Sequence, residues 1–192
     1  MPAIAATELI LIRHAPALSE GRMAGRRDVD ADCSDALAFA RLRARLDPKC
    51  RRLISPARRC RQTAATLWPD DAAPPEDPRL WEQDFGTWED QPYAGLPDLG
   101  PLSLADLAAH RPPQGESFND LTARVAPVFD ALLTQPGTSI ILAHAGVIRA
   151  ALGLALGQSH LGLAFQIAPL SLTRLIYAGT TWSIACVNEA AR

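Results

Sequence analysis

Short apolar runs that stop abruptly at polar residues, each followed by a helical pattern, constrain this chain more than any other feature. Glu8-Leu9-Ile10-Leu11-Ile12-Arg13 reads as a buried strand, and Ser139-Ile140-Ile141-Leu142-Ala143 is the clearest second example. Arg52-Leu53-Ile54-Ser55 is a shorter strand, and a weakly signalled one is expected near Pro78 to Trp81. Ser34 to Asp47 reads as a helix with Ser34 as cap and Pro48 as stop. A second helix is expected from Pro56, whose missing N–H costs nothing in a first turn, to about Trp68. Further helical pattern covers Leu102 to His110, Ser117 to Gln135 and Val147 to Leu156. Ser171 to Tyr177 and Thr181 to Val187, joined by Ala178-Gly179-Thr180, read as an antiparallel pair. Strands alternating with helices predict an α/β fold: a three-layer sandwich with a mostly parallel central sheet and helices on both faces.

The length of 192 residues favours a single domain, 1–192, able to bury roughly 70% of the surface that the unfolded chain exposes. Gln91 to Pro113 breaks the pattern with five prolines and sits within an irregular, cap-like segment over about 83–116. The net charge of −2 argues against a general nucleic-acid binder. No run of eighteen apolar residues suggests a spanning helix, and Met1 to Thr7 lacks the basic start and apolar stretch of a secretory signal. Cys33, Cys50, Cys60 and Cys186 have no paired spacing and are expected as reduced thiols in a cytoplasmic protein. Nine of the nineteen basic residues fall between Arg41 and Arg61. Most are expected on solvated faces, with one or two turned into a cleft.

In sheets of this kind ligands bind at the carboxyl ends of the strands. Three such ends carry the sharpest residues: Arg13-His14; Ser55, followed by Arg58 and Arg59; and His144-Ala145-Gly146. A lone histidine at a strand end is more often structural than functional. Two histidines and two arginines at neighbouring ends suit phosphoryl transfer. Arginine offers a planar fork matched to phosphate oxygens, a helix start such as Ala145-Gly146 offers amides, and a neutral imidazole is a competent nucleophile. Neighbouring cations favour that neutral form. His14 and His144 with Asp28 or Asp84 as metal ligands have no dense spacing behind them.

These residues resemble the histidine phosphatase superfamily, which has the phosphoglycerate-mutase-like fold. Leu11-Ile12-Arg13-His14 looks like its signature, and Ser55 to Ala64 matches its Ser-Pro-Leu-x-Arg-Ala-x-Gln-Thr-Ala segment, aligning Arg59 rather than Arg58. Leu80 to Glu89 matches the block whose first Glu is the proton donor. Gly115-Glu116-Ser117 with Arg124-Val125, and Ala143 to Arg149, match later blocks in family order. The resemblance implies a phosphoric monoester hydrolase in which His14 attacks phosphorus. Arg13, Arg59 and His144 would hold the phosphoryl oxygens, and Glu82 would protonate the leaving alkoxide. It implies no metal and no cofactor, because positive side chains take over that electrostatic role. Trp81, Phe85 and Trp88 and a bound phosphate would favour the protonated form of Glu82, with Asp84 and Glu89 as rival acids.

The chain departs from the family after His14. Ala15 and Pro16 replace the usual Gly and its successor, and the common Glu-Thr and later Asn are absent. Glu20 is expected to face outward, and Gly25-Arg26-Arg27-Asp28 resembles the following Gly-x-x-Asp block, whose Arg26 or Arg27 is either a substrate contact or part of a surface pair. His110 and His160 have no nameable partner. The expected partner is a small phosphorylated molecule, with no nucleic acid and no membrane. By overall resemblance it is α-ribazole-5′-phosphate of cobalamin synthesis; Trp88, Tyr93 and Phe118 suit a core role better than stacking on its ring. Sugar-phosphate or phosphoglycerate phosphatase or mutase activity, and a non-catalytic phosphate-binding module, are the alternatives. The complete set of five residues argues against the last. Leu152 to Leu170 suits either core or a homodimer interface, which leaves the oligomeric state open.

Overall fold

The computed structural model describes residues 6–190, so most of the N-terminal stretch weighed as a secretory signal, Met1 to Ala5, lies outside the described residues. One five-stranded sheet forms the middle layer. Its strands are β1 (Thr7–Arg13), β2 (Arg51–Ile54), β3 (Gly137–Ala143), β4 (Leu172–Ala178) and β5 (Thr181–Glu189), in the spatial order β2-β3-β1-β4-β5. β2, β3 and β1 run parallel, β4 is antiparallel to β1, and β5 is antiparallel to β4. Four strands therefore share one direction, as the sequence pattern predicts, with the C-terminal hairpin as the antiparallel addition.

The helices are α1 (Ala36–Arg43), α2 (Arg58–Leu67), α3 (Leu104–Ala109), α4 (Phe118–Leu133) and α5 (Ala145–Ala155). Alternation along the strands divides the core between the two faces. Leu9, Leu11, Ile141 and Leu175 pack with α3, α4 and α5. Ile10, Ile12, Ile140, Leu142 and Leu172 pack with α1 and α2. Because β1 and β3 are covered on both sides, their apolar runs are nearly continuous.

Several expected boundaries shift. The strand expected near Pro78 to Trp81 is a single 3-10 turn, Pro78–Leu80, because Pro78 fixes its φ at the start and the Asp77 side chain caps Arg79. α1 is shorter than expected. Asp35, not Ser34, caps it by accepting from the Ala38 amide, and it ends at Arg43, five residues before Pro48. Pro56 lies ahead of α2 rather than in its first turn, since the cap is Ala57. The irregular segment over about 83–116 holds α3 and two 3-10 turns, Gly86–Trp88 and Tyr93–Gly95. Among the described residues no helix is long and apolar enough to cross a membrane.

Of the basic cluster, Arg45 pairs with Glu189, Arg52 with Asp71, Arg58 with Asp30 and Arg61 with Glu76. Arg59 alone of that cluster lines the cleft described below.

α4 begins with a capping box: Ser117 Oγ accepts from the Asp120 amide at 3.1 Å, and Asp120 Oδ2 accepts from the Ser117 amide at 2.7 Å. Ser117→Ala should therefore cost about 1 kcal/mol. Thermal denaturation should show this as a midpoint lowered by roughly 2–4 °C.

Candidate active site

The register of the three parallel strands places their carboxyl ends side by side. Arg13 is level with Ala143, and Ile54 with Leu142. The ladder continues one residue further, the His14 amide donating to Ala143 O at 3.0 Å and the Ser55 amide to Leu142 O at 3.0 Å. His14, Ser55 and His144 are thus neighbours although 130 residues separate the two histidines in sequence.

Hydrogen bonding fixes both ring tautomers. Nδ1 of His14 lies 2.6 Å from Ala15 O, which can only accept, so Nδ1 carries the proton and Nε2 is unprotonated. Toward the Nε2 lone pair the Arg59 Nε–H donates at 3.3 Å, and the same N–H reaches Nδ1 of His144 at 3.2 Å. His144 therefore keeps its proton on Nε2 and donates to Ser55 Oγ at 2.8 Å. The two rings meet edge to face with centroids 5.0 Å apart, and Trp81 lies parallel to His144. Burial, then the Arg59 charge, pushes His14 down to about 3 and His144 well below its ordinary value. Both are neutral at physiological pH, as a nucleophile requires.

Arg59 is 1% exposed despite its charge. Its terminal nitrogens donate to Arg27 O at 2.8 Å and Gly25 O at 2.7 Å, which leaves one hydrogen on each for another acceptor. Arg13 donates from Nη1 to Ile167 O at 2.5 Å, while its buried Nε has no partner among the described residues. Burial lowers the Arg13 pKa, partly offset by the charge of Glu82.

Glu82 follows the 78–80 turn. Its Oε2 accepts from the Gly146 amide at 3.2 Å, and its Oε1 accepts from the Gln83 amide at 3.0 Å. An acid thus sits at the positive end of α5. The Gly146 amide, expected to face phosphate, is taken by Glu82, and half-buried Ala145 starts the helix beside it. Arg13, His14, Arg59 and Glu82 all line one cleft of about 300 Å³. Its walls include Pro16, Met23, Phe85, Tyr93 and Pro169, with Ser19 adding a hydroxyl. His144 lies behind them, fully buried.

Arg26 is not among the cleft-lining residues: its Nε donates to Glu82 O at 3.2 Å and its Nη2 lies 3.8 Å from Glu116. Asp84 and Glu89, the rival acids, accept backbone amides from Gly86 and from Arg26 and Phe85 respectively. Asp28 accepts from the Arg58 amide at 2.6 Å and so caps α2 from outside. Ala15 is absent from the positive-φ residues, and its amide donates to Thr63 Oγ1 at 3.0 Å, so the missing glycine causes no strain there. Glu20 is exposed, with φ of 55°. Of the three candidate stacking rings, Tyr93 lines the cleft, Trp88 stacks on His110, and Phe118 is in the core. His160 lies in a separate 3-10 turn, Ser159–Ala164. Thr63 and the Glu116–Arg124 pair were not singled out from the sequence for a role. They lie in or beside the conspicuous blocks, but only folding gives them partners.

The family model described as histidine phosphatase superfamily (branch 1) matches residues 9–190. Among solved structures, a mycobacterial glucosyl-3-phosphoglycerate phosphatase is 24% identical over 96% of this chain and 100% of its own, with a TM-score of 0.81. Bacillus stearothermophilus YhfR is 24% identical over 96% of this chain and 98% of its own, with a TM-score of 0.80. A Thermus thermophilus protein is 26% identical over 92% of this chain and 97% of its own, with a TM-score of 0.71. No curated protein matches the chain.

The depressed His14 pKa ties stability to pH. Above its unfolded value near 6.5 both states are neutral; below it only the unfolded state takes the proton, until the folded protein follows at about 3. Stability should therefore fall as pH drops through this window. Urea midpoints should show a shallower fall for His14→Gln, by up to about 1.4 kcal/mol per pH unit.

Proposed function

Because the chain belongs to the histidine phosphatase superfamily and is a phosphatase, we propose that it hydrolyses a small phosphate monoester through a phosphohistidine on His14. The observation that carries this reading is the His14 Nε2 lone pair, held neutral and buried beside the Arg59 guanidinium. Nε2 attacks phosphorus as the bond to the leaving oxygen breaks, and Glu82 gives that oxygen its proton. Water then attacks the phosphohistidine, Glu82 takes a proton back, and inorganic phosphate leaves. Arg13 and the two unspent hydrogens of Arg59 hold the phosphoryl oxygens as charge develops, with the His144 ring behind them.

For the substrate, we propose α-ribazole-5′-phosphate. The cleft walls favour a leaving group with an uncharged aromatic face. Met23, Phe85, Tyr93, Pro16 and Pro169 offer apolar contact, and Tyr93, 55% exposed, offers a ring to stack upon. A second anionic group finds no partner, since Arg13 and Arg59 are the only cations lining the cleft among the described residues. The three arginines of the loop after β1 are engaged elsewhere: Arg22 and Arg27 with Asp90, and Arg26 with Glu82 O and Glu116. This is the observation that ranks phosphoglycerate below α-ribazole phosphate.

Turnover of p-nitrophenyl phosphate in chelator should fall by at least about a thousandfold in His14→Ala. Acid quenching should trap a labile phosphoenzyme only when His14 is present. Dependence on added divalent metal, or activity surviving His14→Ala, overturns the mechanism. In a substrate panel, kcat/KM for α-ribazole phosphate should exceed that for 3-phosphoglycerate on the order of a hundredfold, the penalty of an unpaired carboxylate. A preference for phosphoglycerates or sugar phosphates replaces the substrate assignment.

Gly146→Ala probes Glu82 directly. The added Cβ would lie 2.2 Å from Glu82 Oε1, so the carboxyl must move. Turnover of alkyl phosphates should drop on the order of a hundredfold while the fold persists, as circular dichroism would check.

A further inference from the structure

We propose that Glu116 and Arg124 are positioning residues that hold the main chain of Glu82, and so aim its carboxyl; the inference rests on Glu82 being the proton donor. Residues 81–85 lie between two 3-10 turns and form no part of a strand or helix. Neither ladder nor helix fixes the direction of Glu82, and side chains must supply the partners of its backbone.

Arg124, on α4, supplies those of the Trp81 and Glu82 carbonyls. Nε donates to Glu116 Oε2 at 3.2 Å and Nη2 to Glu116 Oε1 at 2.5 Å, a bidentate pair. Nη1 donates to Arg79 O at 2.5 Å and Trp81 O at 3.0 Å, and Nη2 gives its other hydrogen to Glu82 O at 3.2 Å. All five donors of the guanidinium are used. Glu116 Oε1 closes the frame by accepting from the Asp84 amide at 3.0 Å. The carbonyls of Trp81 and Glu82 and the amide of Asp84 are thus fixed on both sides of the acid. The two side chains are only 19% and 14% exposed, so solvent competes weakly for these bonds. Arg26 adds a second contact to Glu82 O. Lysine cannot substitute, since an ammonium has three donors and no planar fork.

The experiment compares kcat/KM for p-nitrophenyl phosphate and for glycerol 2-phosphate in the full chain carrying Arg124→Lys or Glu116→Gln. The ratio reads the steps through phosphoenzyme formation. Nitrophenolate leaves without a proton, whereas an alkoxide needs one. Displacing Glu82 by about an ångström should lower the alkyl ester on the order of a hundredfold and the nitrophenyl ester by less than about threefold. Adding Arg124→Lys to Glu82→Gln should cause little further loss, because the two act through one group. Equal losses on both esters in protein with a native circular dichroism spectrum, or no loss on either, overturn the proposal. Glu82→Gln is run beside them. If it fails to discriminate between the esters, the donor assignment falls and the brace with it. If it discriminates and the brace variants do not, only the brace is rejected. Should Arg124→Lys fail to fold, Glu116→Gln, which keeps volume and one amide acceptor, carries the test.

Discussion

A single N–H of a buried guanidinium, shared between two imidazoles, organises the rest of the site. Arg59 is 1% exposed, and a charge so placed is tolerated only where acceptors surround it. Here they are two ring nitrogens and the carbonyls of Gly25 and Arg27. Burial, then this cation, disfavours a protonated ring, so His14 and His144 stay neutral and each turns its lone pair toward Arg59. Ala15 O and Ser55 Oγ take the opposite protons. Tautomer and ring orientation thus follow from one interaction.

The acid side of the cleft obeys a different constraint. Glu82 lies on irregular chain, and its position comes from outside that segment: the Gly146 amide at the start of α5, Arg124 of α4 paired with Glu116 just before it, and Arg26 from the loop after β1. Base and acid are therefore carried by separate parts of the fold. The strand ends set His14 rigidly through the sheet, whereas helix starts and loops set Glu82. The loops are themselves tied together, since the Asp90 amide donates to Met23 O and the Asp90 carboxylate takes Arg22 and Arg27.

Much of this was legible beforehand. The Arg13-His14 and His144 ends could be read because parallel strands with apolar runs must align, and ligands gather at their carboxyl ends. The resemblance selected Arg59 over Arg58, and the structure sends Arg58 to Asp30 in solvent while Arg59 goes inward. For Arg26 the sequence was silent, because a cation in a loop near an anion site carries no sign of its partner. Its carbonyl and carboxylate acceptors lie 56 and 90 residues away. The strand expected at Pro78 to Trp81 failed for a local reason: the Asp77 cap and Pro78 favour a turn over pairing.

By itself, the amino-acid order determined the strand–helix alternation, the residues at the strand ends and the family to which they point. Periodicity and chain-local chemistry suffice for that. Only the tertiary structure decided which proton each imidazole keeps, that the Gly146 amide serves Glu82, and that Met23, Phe85 and Tyr93 share one cleft with two cations and Glu82. Those are properties of partners brought together across the fold, and sequence spacing holds no record of distance or direction between them.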